Sequence, residues 1–182
     1  MKFENLQECH GNFKFYKFDS LLPQSLLDSA IEEGSGYVPF KVERTRTSNQ
    51  SRLWMGQLKM TVFHDIAELF DAHAVKQMFS NVTGTNFLEM RTRAELCVDK
   101  KGSWLEPHVD DPAKRFTLQL YLSGNGNSTT MGTSVTDIRV GSGWFFANTA
   151  SEWHHLSPLE NDRISIIINY VNFQWNDETV LV

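Results

Sequence analysis

Apolar and polar positions change their rhythm near Gly84. Before it the spacing is mostly helical. Phe13, Phe15 and Phe18 stand among polar residues as a short strand with imperfect alternation, and Asp19 to Pro23 turns the chain. Ser25 then offers an N-cap for a helix with Leu26, Leu27, Ala30 and Ile31 on one face, stopped by Gly34-Ser35-Gly36. Ile66, Leu69, Phe70, Ala74, Val75, Met78 and Phe79 repeat at helical intervals up to Gly84, with an irregularity at Asp71-Ala72-His73. His64 and His73 belong to this stretch. With no carboxylate or second His read at ligand spacing on the same face, both are taken as helix-surface residues. Between the helices, Tyr37 to Met60 has a mixed pattern, with Lys41, Arg44, Arg46, Arg52 and Lys59 against Glu43. Such a segment suits a solvated basic loop or edge strand, the favoured reading, or a positive lid over an anionic substrate.

After Gly84 the chain breaks into short β-like runs separated by regular turn signals, as in a sandwich or barrel. Phe87 to Val98 places Arg91, Arg93, Glu95 and Cys97 on one face and Thr92, Ala94, Leu96 and Val98 on the other. Further strands are expected at Trp104 to Asp110, Phe116 to Ser123, Thr136 to Val140, Trp144 to Ala147, Trp153 to Leu156 and Arg163 to Phe173, with Gly124 to Ser128 as a flexible loop. In Phe116 to Leu122 the row Phe116, Leu118, Leu120, Leu122 is wholly apolar and is predicted to pack beneath the N-terminal helices. The row Thr117, Gln119, Tyr121 then lines the interior.

Composition narrows the setting. The chain has 182 residues and 41% apolar content, enough for one domain with a substantial core. A helical support region over 1–85 and a β core over 86–174 are the expected divisions of that single domain. A net charge of −5 gives no global basic field for nucleic acid or an anionic membrane. No apolar run suits a membrane span or a secretion signal, and Cys9 and Cys97 are too few and too separate for a disulfide framework. A cytoplasmic protein is expected.

The candidate chemistry lies in the β half. Along a strand, residues two apart share a face, so His108 and Asp110 can address one metal while Val109 points away. With a further imidazole from His154-His155, two His and one carboxylate leave coordination positions open, the arrangement of non-haem Fe(II) oxygenases. Arg163 and Ser165 share a face by the same period. A guanidinium beside a hydroxyl suits the far carboxylate of a dicarboxylic acid. Tyr121 either hydrogen-bonds such a ligand or is a core residue satisfied by backbone.

The set His108-Val109-Asp110-Asp111-Pro112, Tyr121-Leu122, Gly132-Thr133, Gly143-Trp144-Phe145-Phe146, His154-His155-Leu156-Ser157-Pro158 and Arg163-Ile164-Ser165 resembles the 2-oxoglutarate/Fe(II)-dependent dioxygenases, particularly their prolyl 4-hydroxylase-like branch. The likeness covers roughly residues 86–172. It implies an α+β, mainly β fold: a double-stranded β-helix (jelly roll, cupin-like) with N-terminal helices packed on one sheet. By resemblance His108, Asp110 and His154 are the metal ligands. His154 is preferred to His155 because Leu156, Pro158 and Arg163 fit the family's register. Arg163 would bind the distal carboxylate of 2-oxoglutarate, helped by Ser165 and Tyr121. The implied cofactors are Fe(II), 2-oxoglutarate and dioxygen, and the implied reaction hydroxylates an unidentified substrate with release of succinate and carbon dioxide. No Tyr precedes His108 where some prolyl hydroxylases have one, which leaves peptidyl proline, another side chain or a metabolite open. Arg91, Arg93, Glu95, the Arg44 to Arg52 segment and Asn148 are candidates for substrate recognition or for internal pairing. The alternative function is a non-catalytic cupin-like module that binds metal or a small molecule as a sensor.

Overall fold

The computed structural model describes residues 1–36, 50–175 and 181. From its fourth strand onward the chain passes back and forth between two antiparallel sheets. Strands β4 (Arg91–Asp99), β6 (Lys114–Tyr121), β9 (Gly143–Ala147) and β11 (Arg163–Val171) go to the large sheet. Strands β5 (Leu105–His108), β7 (Ser128–Met131), β8 (Ser134–Asp137) and β10 (His154–Leu156) go to the small one. The large sheet is extended at one edge by β1 (Gln7–His10) and β2 (Lys14–Phe18), and at the other by β3 (Gln50–Trp54). Its order is β1-β2-β9-β6-β11-β4-β3, and that of the small sheet is β5-β10-β7-β8. The alternation of strands between two facing sheets is a double-stranded β-helix, as the motifs implied. Pro107 is tolerated in β5 because that strand is an edge, where a missing N–H breaks no ladder.

Among the described residues, three α-helices cover the outer face of the large sheet. The first, α1 (Gln24–Ser35), starts after Pro23, so Ser25 sits inside its first turn rather than at the N-cap, and no side chain caps it. The second, α2 (Val62–Asp71), is capped by Thr61, whose side chain accepts from the His64 N–H. The irregularity expected near Ala72 is a full break: that residue is extended (φ −57°, ψ 135°), ending α2 and opening α3 (His73–Thr83). Gly84, at φ 77°, closes α3 in the left-handed conformation that glycine adopts without strain.

Strand parity decides which residues go to which core. Phe116, Leu118, Leu120 and Leu122 pack outward with Phe145, Ile166 and Ile168 against Phe63, Ile66, Phe70 and Phe79 of the helices. On the other face, Tyr121, Trp144 and Phe146 meet Phe13, Phe15, Met131 and Ile138 between the sheets. The row anticipated beneath the helices therefore lies there. Gly143 is required by close approach: a Cβ there would come within 2.2 Å of the Gln119 carbonyl oxygen and 2.5 Å of the Phe18 ring.

The stretch Gln7–His10, which carries no apolar period, pairs with β2. Three readings need correction. Gly124 to Asn127 turns directly into β7, which already includes Ser128, and the following strand is Ser134–Asp137 rather than Thr136 to Val140. Of the basic segment, Lys41, Arg44 and Arg46 lie outside the described residues. Arg52 is on an edge strand as favoured, but its side chain is only 9% exposed and faces inward, so it is not solvated.

Candidate metal centre

Strands β5 and β10 lie side by side with His154 opposite His108, and the two rings are 4.3 Å apart between centroids. Asp110 joins them, and one potential ligand atom from each of the three residues lies within 4.8 Å of the others. The strand that carries His108 ends there, so Asp110 is delivered by a turn and not by the pleat of a continuing strand. In that turn the Asp111 carboxylate accepts from the Ala113 N–H and the Asp111 carbonyl from the Lys114 N–H.

Both imidazoles are held in the same way. His108 Nδ1 is 2.9 Å from the Glu106 carbonyl, and His154 Nδ1 is 2.9 Å from the Glu152 carbonyl. A carbonyl can only accept, so each Nδ1 carries a proton, and in the neutral ring Nε2 is the nitrogen whose lone pair is left for a cation. The Glu152 carboxylate is buried and accepts from the N–H groups of Thr149 and Ser151 at 2.8 and 2.9 Å, which fixes the loop leading into β10. Trp144 and Phe146 pack on the His154 ring. His155 is half-buried, and its carbonyl accepts from Thr129.

The ionisation states suit a metal. Burial opposes the charge on Asp110, but Lys114 and His154 together with hydrogen bonds from Lys114 and Thr117 outweigh it and hold the carboxyl well below its usual range. Lys114 donates to Oδ1 at 2.8 Å and Thr117 to Oδ2 at 2.6 Å. Burial lowers His154 below its ordinary value of 6.5, against the pull of Asp110, so its ring is neutral. An ionised carboxylate and a neutral imidazole are the protonation states that a divalent cation needs.

The inner face of the large sheet continues away from this group in cross-strand rows. Arg93, Asn169 and Thr117 form one row. Within it Arg93 donates to Asn169 Oδ1 at 3.1 Å, and Asn169 donates to Thr117 Oγ1 at 3.0 Å. Thr117 in turn donates to Asp110, so the row is a hydrogen-bonded chain that ends on a candidate ligand. Cys97, Ser165 and Tyr121 form a row further along. Here Gln119 donates to Ser165 Oγ at 2.9 Å, and the Tyr121 hydroxyl accepts from the Trp144 indole at 2.7 Å. Tyr121 is thus satisfied by side chains and not by backbone. Arg163, opposite Asp99, forms the end row, six strand positions or roughly 20 Å from Asn169 along β11.

The remaining sequence candidates divide. Arg93 lies between the rings of Trp54 and Trp175, its guanidinium carbon 4.2 and 4.9 Å from their centroids, and pairs with Glu95 at 2.6 Å. Arg91 donates to the carbonyls of Asn172 and Trp175. Asn148 is structural: its amide donates to the carbonyls of Asp111 and Lys114, and its oxygen accepts from Ala150. Sequence reasoning placed Thr117 and Gln119 on the inner face, as found, but missed Asp99, Lys114 and Asn169 as members of its charged and hydrogen-bonded set. Cross-strand pairing was the signal that would have joined them. It also passed over Glu68, which stands four residues after His64 and approaches it to 3.8 Å. That second His64-Asp65-Glu68 group is largely exposed, and Lys59 Nζ already sits 3.1 Å from His64 Nε2.

No protein-family model matches this sequence, and no curated protein matches it either. Solved structures do. A prolyl-4-hydroxylase from Pseudomonas putida aligns with a TM-score of 0.66 at 15% identity, over 87% of this chain and 92% of that one. HygX from Streptomyces hygroscopicus, solved with nickel and 2-oxoglutarate bound, aligns with a TM-score of 0.61 at 12% identity, over 87% and 83%. The non-haem alpha-ketoglutarate-dependent epimerase SnoN, from nogalamycin biosynthesis, gives 0.61 at 13% identity, over 87% and 76%. At these identities the likeness is one of fold, and that fold carries more than one chemistry.

Proposed function

We propose that this chain is a 2-oxoglutarate- and Fe(II)-dependent oxygenase that hydroxylates an unidentified peptidyl residue or small molecule, using the whole of residues 1–182 as one catalytic unit. The observation that carries this reading is the convergence of His108, Asp110 and His154, with ligand atoms within 4.8 Å and two carbonyl-fixed rings. In the overall reaction one oxygen atom of dioxygen enters the substrate C–H bond and the other enters succinate, with loss of carbon dioxide from 2-oxoglutarate.

His108, Asp110 and His154 would hold the iron, whose open positions supply the oxygen chemistry when it is bound. The chain's own part is positional. The Glu106 and Glu152 carbonyls fix the ring orientation and the Nδ1–H tautomer of both histidines, and Thr117 and Lys114 keep Asp110 ionised and aimed. Arg163 would bind the distal carboxylate of 2-oxoglutarate, with Ser165 and Tyr121 beside it on the same wall. Trp144, Phe146 and Met131 exclude water from the inter-sheet side of the rings. Free Cys9 and Cys97 agree with a reducing compartment, and the cytoplasm is the setting we favour. Among the described residues no helix is long and apolar enough to cross a membrane.

Calorimetry under anaerobic conditions tests the reading against a metal-binding module without oxygenase activity. With Mn(II) in place of iron, 2-oxoglutarate should bind wild type and fail to bind His108→Ala, Asp110→Ala or Arg163→Met. Metal uptake that is indifferent to 2-oxoglutarate and to Arg163→Met would favour the non-catalytic module.

A further inference from the structure

Arg163 is already matched to a carboxylate. Across the β11–β4 ladder it stands opposite Asp99, and its Nε and Nη2 donate to a single oxygen, Asp99 Oδ2, at 2.9 and 2.6 Å. Both side chains are buried, 6% and 2% exposed, and Nη1 lies outside the pair. Of the titratable neighbours on this face, Tyr121 and Cys97 are uncharged, while Arg52 and Arg93 both donate to the one oxygen Glu95 Oε2, at 2.8 and 2.6 Å. Burial pushes the Tyr121 phenol, whose ring centre is 5.8 Å from the guanidinium carbon, up to about 12. Burial also pushes the Cys97 thiol, one row inward, up to about 12. Arg52, opposite Cys97, donates to Glu95 at 2.8 Å. Arg163 and Asp99 therefore form a one-to-one buried ion pair, where the far end of a dicarboxylate would be best served by an unmatched cation.

We propose that Asp99 is an internal counter-ion that sets how tightly the chain holds its dicarboxylate co-substrate, a specificity-determining residue acting through Arg163. An arriving carboxylate shares the guanidinium with Asp99 through Nη1 instead of having it alone, so two like charges meet at one buried cation. Asp99 weakens binding, and the site fills only at high co-substrate concentration. The inference rests on the reading of Arg163 as the residue for the distal carboxylate. It differs in sign from a merely structural role. If Asp99 served only to hold Arg163 in place, its loss would loosen the site and weaken the ligand.

Two titrations decide between these outcomes. Metal-free protein is titrated with glutarate, which presents the distal carboxylate without the 2-oxo acid, and Mn(II)-loaded anaerobic protein is titrated with 2-oxoglutarate. Asp99→Asn keeps an acceptor oxygen for Nε and Nη2 but removes the charge, and should bind both ligands at least about tenfold more tightly than wild type. Asp99→Ala, which removes the acceptor as well, is the second arm and should also gain. The gain should vanish in Asp99→Asn/Arg163→Met. In aerobic turnover with Fe(II), Asp99→Asn should lower KM for 2-oxoglutarate and leave kcat unchanged. Unchanged or weaker binding of both ligands by Asp99→Asn, or a gain that survives loss of Arg163, overturns the inference. A glutarate gain in protein that never turns over 2-oxoglutarate would support the counter-ion and sink the oxygenase reading instead.

Discussion

His108 and His154 face each other across the β5–β10 ladder, and each ring is held by the carbonyl two residues before it in its own segment. This repeated arrangement fixes two Nε2 lone pairs on neighbouring strands of the small sheet. On the proposed reading it gives the two histidines equivalent roles and leaves His155 outside them. His108→Ala and His154→Ala should each weaken Fe(II) or Mn(II) binding by about 100-fold or more, while His155→Ala stays within a few-fold of wild type. Metal titrations of the three variants check this, and loss of metal in His155→Ala would mean that the register of β10 is wrong.

Glu152 acts on His154 without touching a metal. Its buried carboxylate gathers the N–H groups of Thr149 and Ser151, and its carbonyl receives the His154 Nδ1 proton. Glu152→Ala should keep the fold and lower metal affinity by about tenfold, the lower end of what outer-shell partners contribute. Far-ultraviolet circular dichroism beside a metal titration reads both parts. Unaltered affinity would remove Glu152 from the account.

The metal-free protein should lose stability on acidification. In the fold His154 stays neutral below its ordinary value of 6.5, because burial disfavours the imidazolium more than Asp110 favours it. The unfolded chain then binds the extra proton, so stability present above about pH 6.5 is lost as pH falls through the folded-state value. Asp110 acts in the same sense at lower pH. Its folded-state carboxyl remains ionised where the unfolded one, near 3.8, has been protonated. Each group contributes a slope of at most about 1.4 kcal/mol per pH unit within its window. Urea midpoints of chelator-treated protein between pH 7 and pH 3 should fall, and His154→Gln should flatten the upper part of the curve. A midpoint that rises on going from pH 7 to pH 5 would contradict this assignment.

Gly143 lets three strands come together, since β9 passes against Gln119 of β6 and Phe18 of β2 with no room for a side chain. Gly143→Ala should cost about 1–3 kcal/mol, the range for overpacking a close-packed interior. Chemical denaturation measures it directly, and a neutral result would mean that the strands separate more easily than their ladder implies.

The parts of this architecture that were legible in the sequence were those written by periodicity. The apolar row of β6, the Arg93/Glu95/Cys97 face of β4 and the break at Ala72 follow from local spacing, and the structure places them accordingly. The strand β1 carries no apolar alternation, because it is an exposed edge, and β7 is a run of hydroxyl residues that reads as loop. At the centre, His108, Asp110 and His154 were found as residue types and spacings, but the reason Asp110 arrives is a turn closed by Asp111, not the strand period. Asp99 and Asn169 escaped because their meaning is cross-strand. Asp99 ends one strand 64 residues before its partner Arg163, and pairing at that distance depends on the register of the sheet.

The most direct measurement of the central claim is proton NMR of Fe(II)-loaded protein supplied with 2-oxoglutarate in air. Succinate should accumulate, slowly without the prime substrate and faster with it, and none should form above the protein-free control with Asp110→Ala. Folded, metal-replete protein that binds 2-oxoglutarate and yet releases no succinate, alone or with a broad substrate panel, would contradict the oxygenase account.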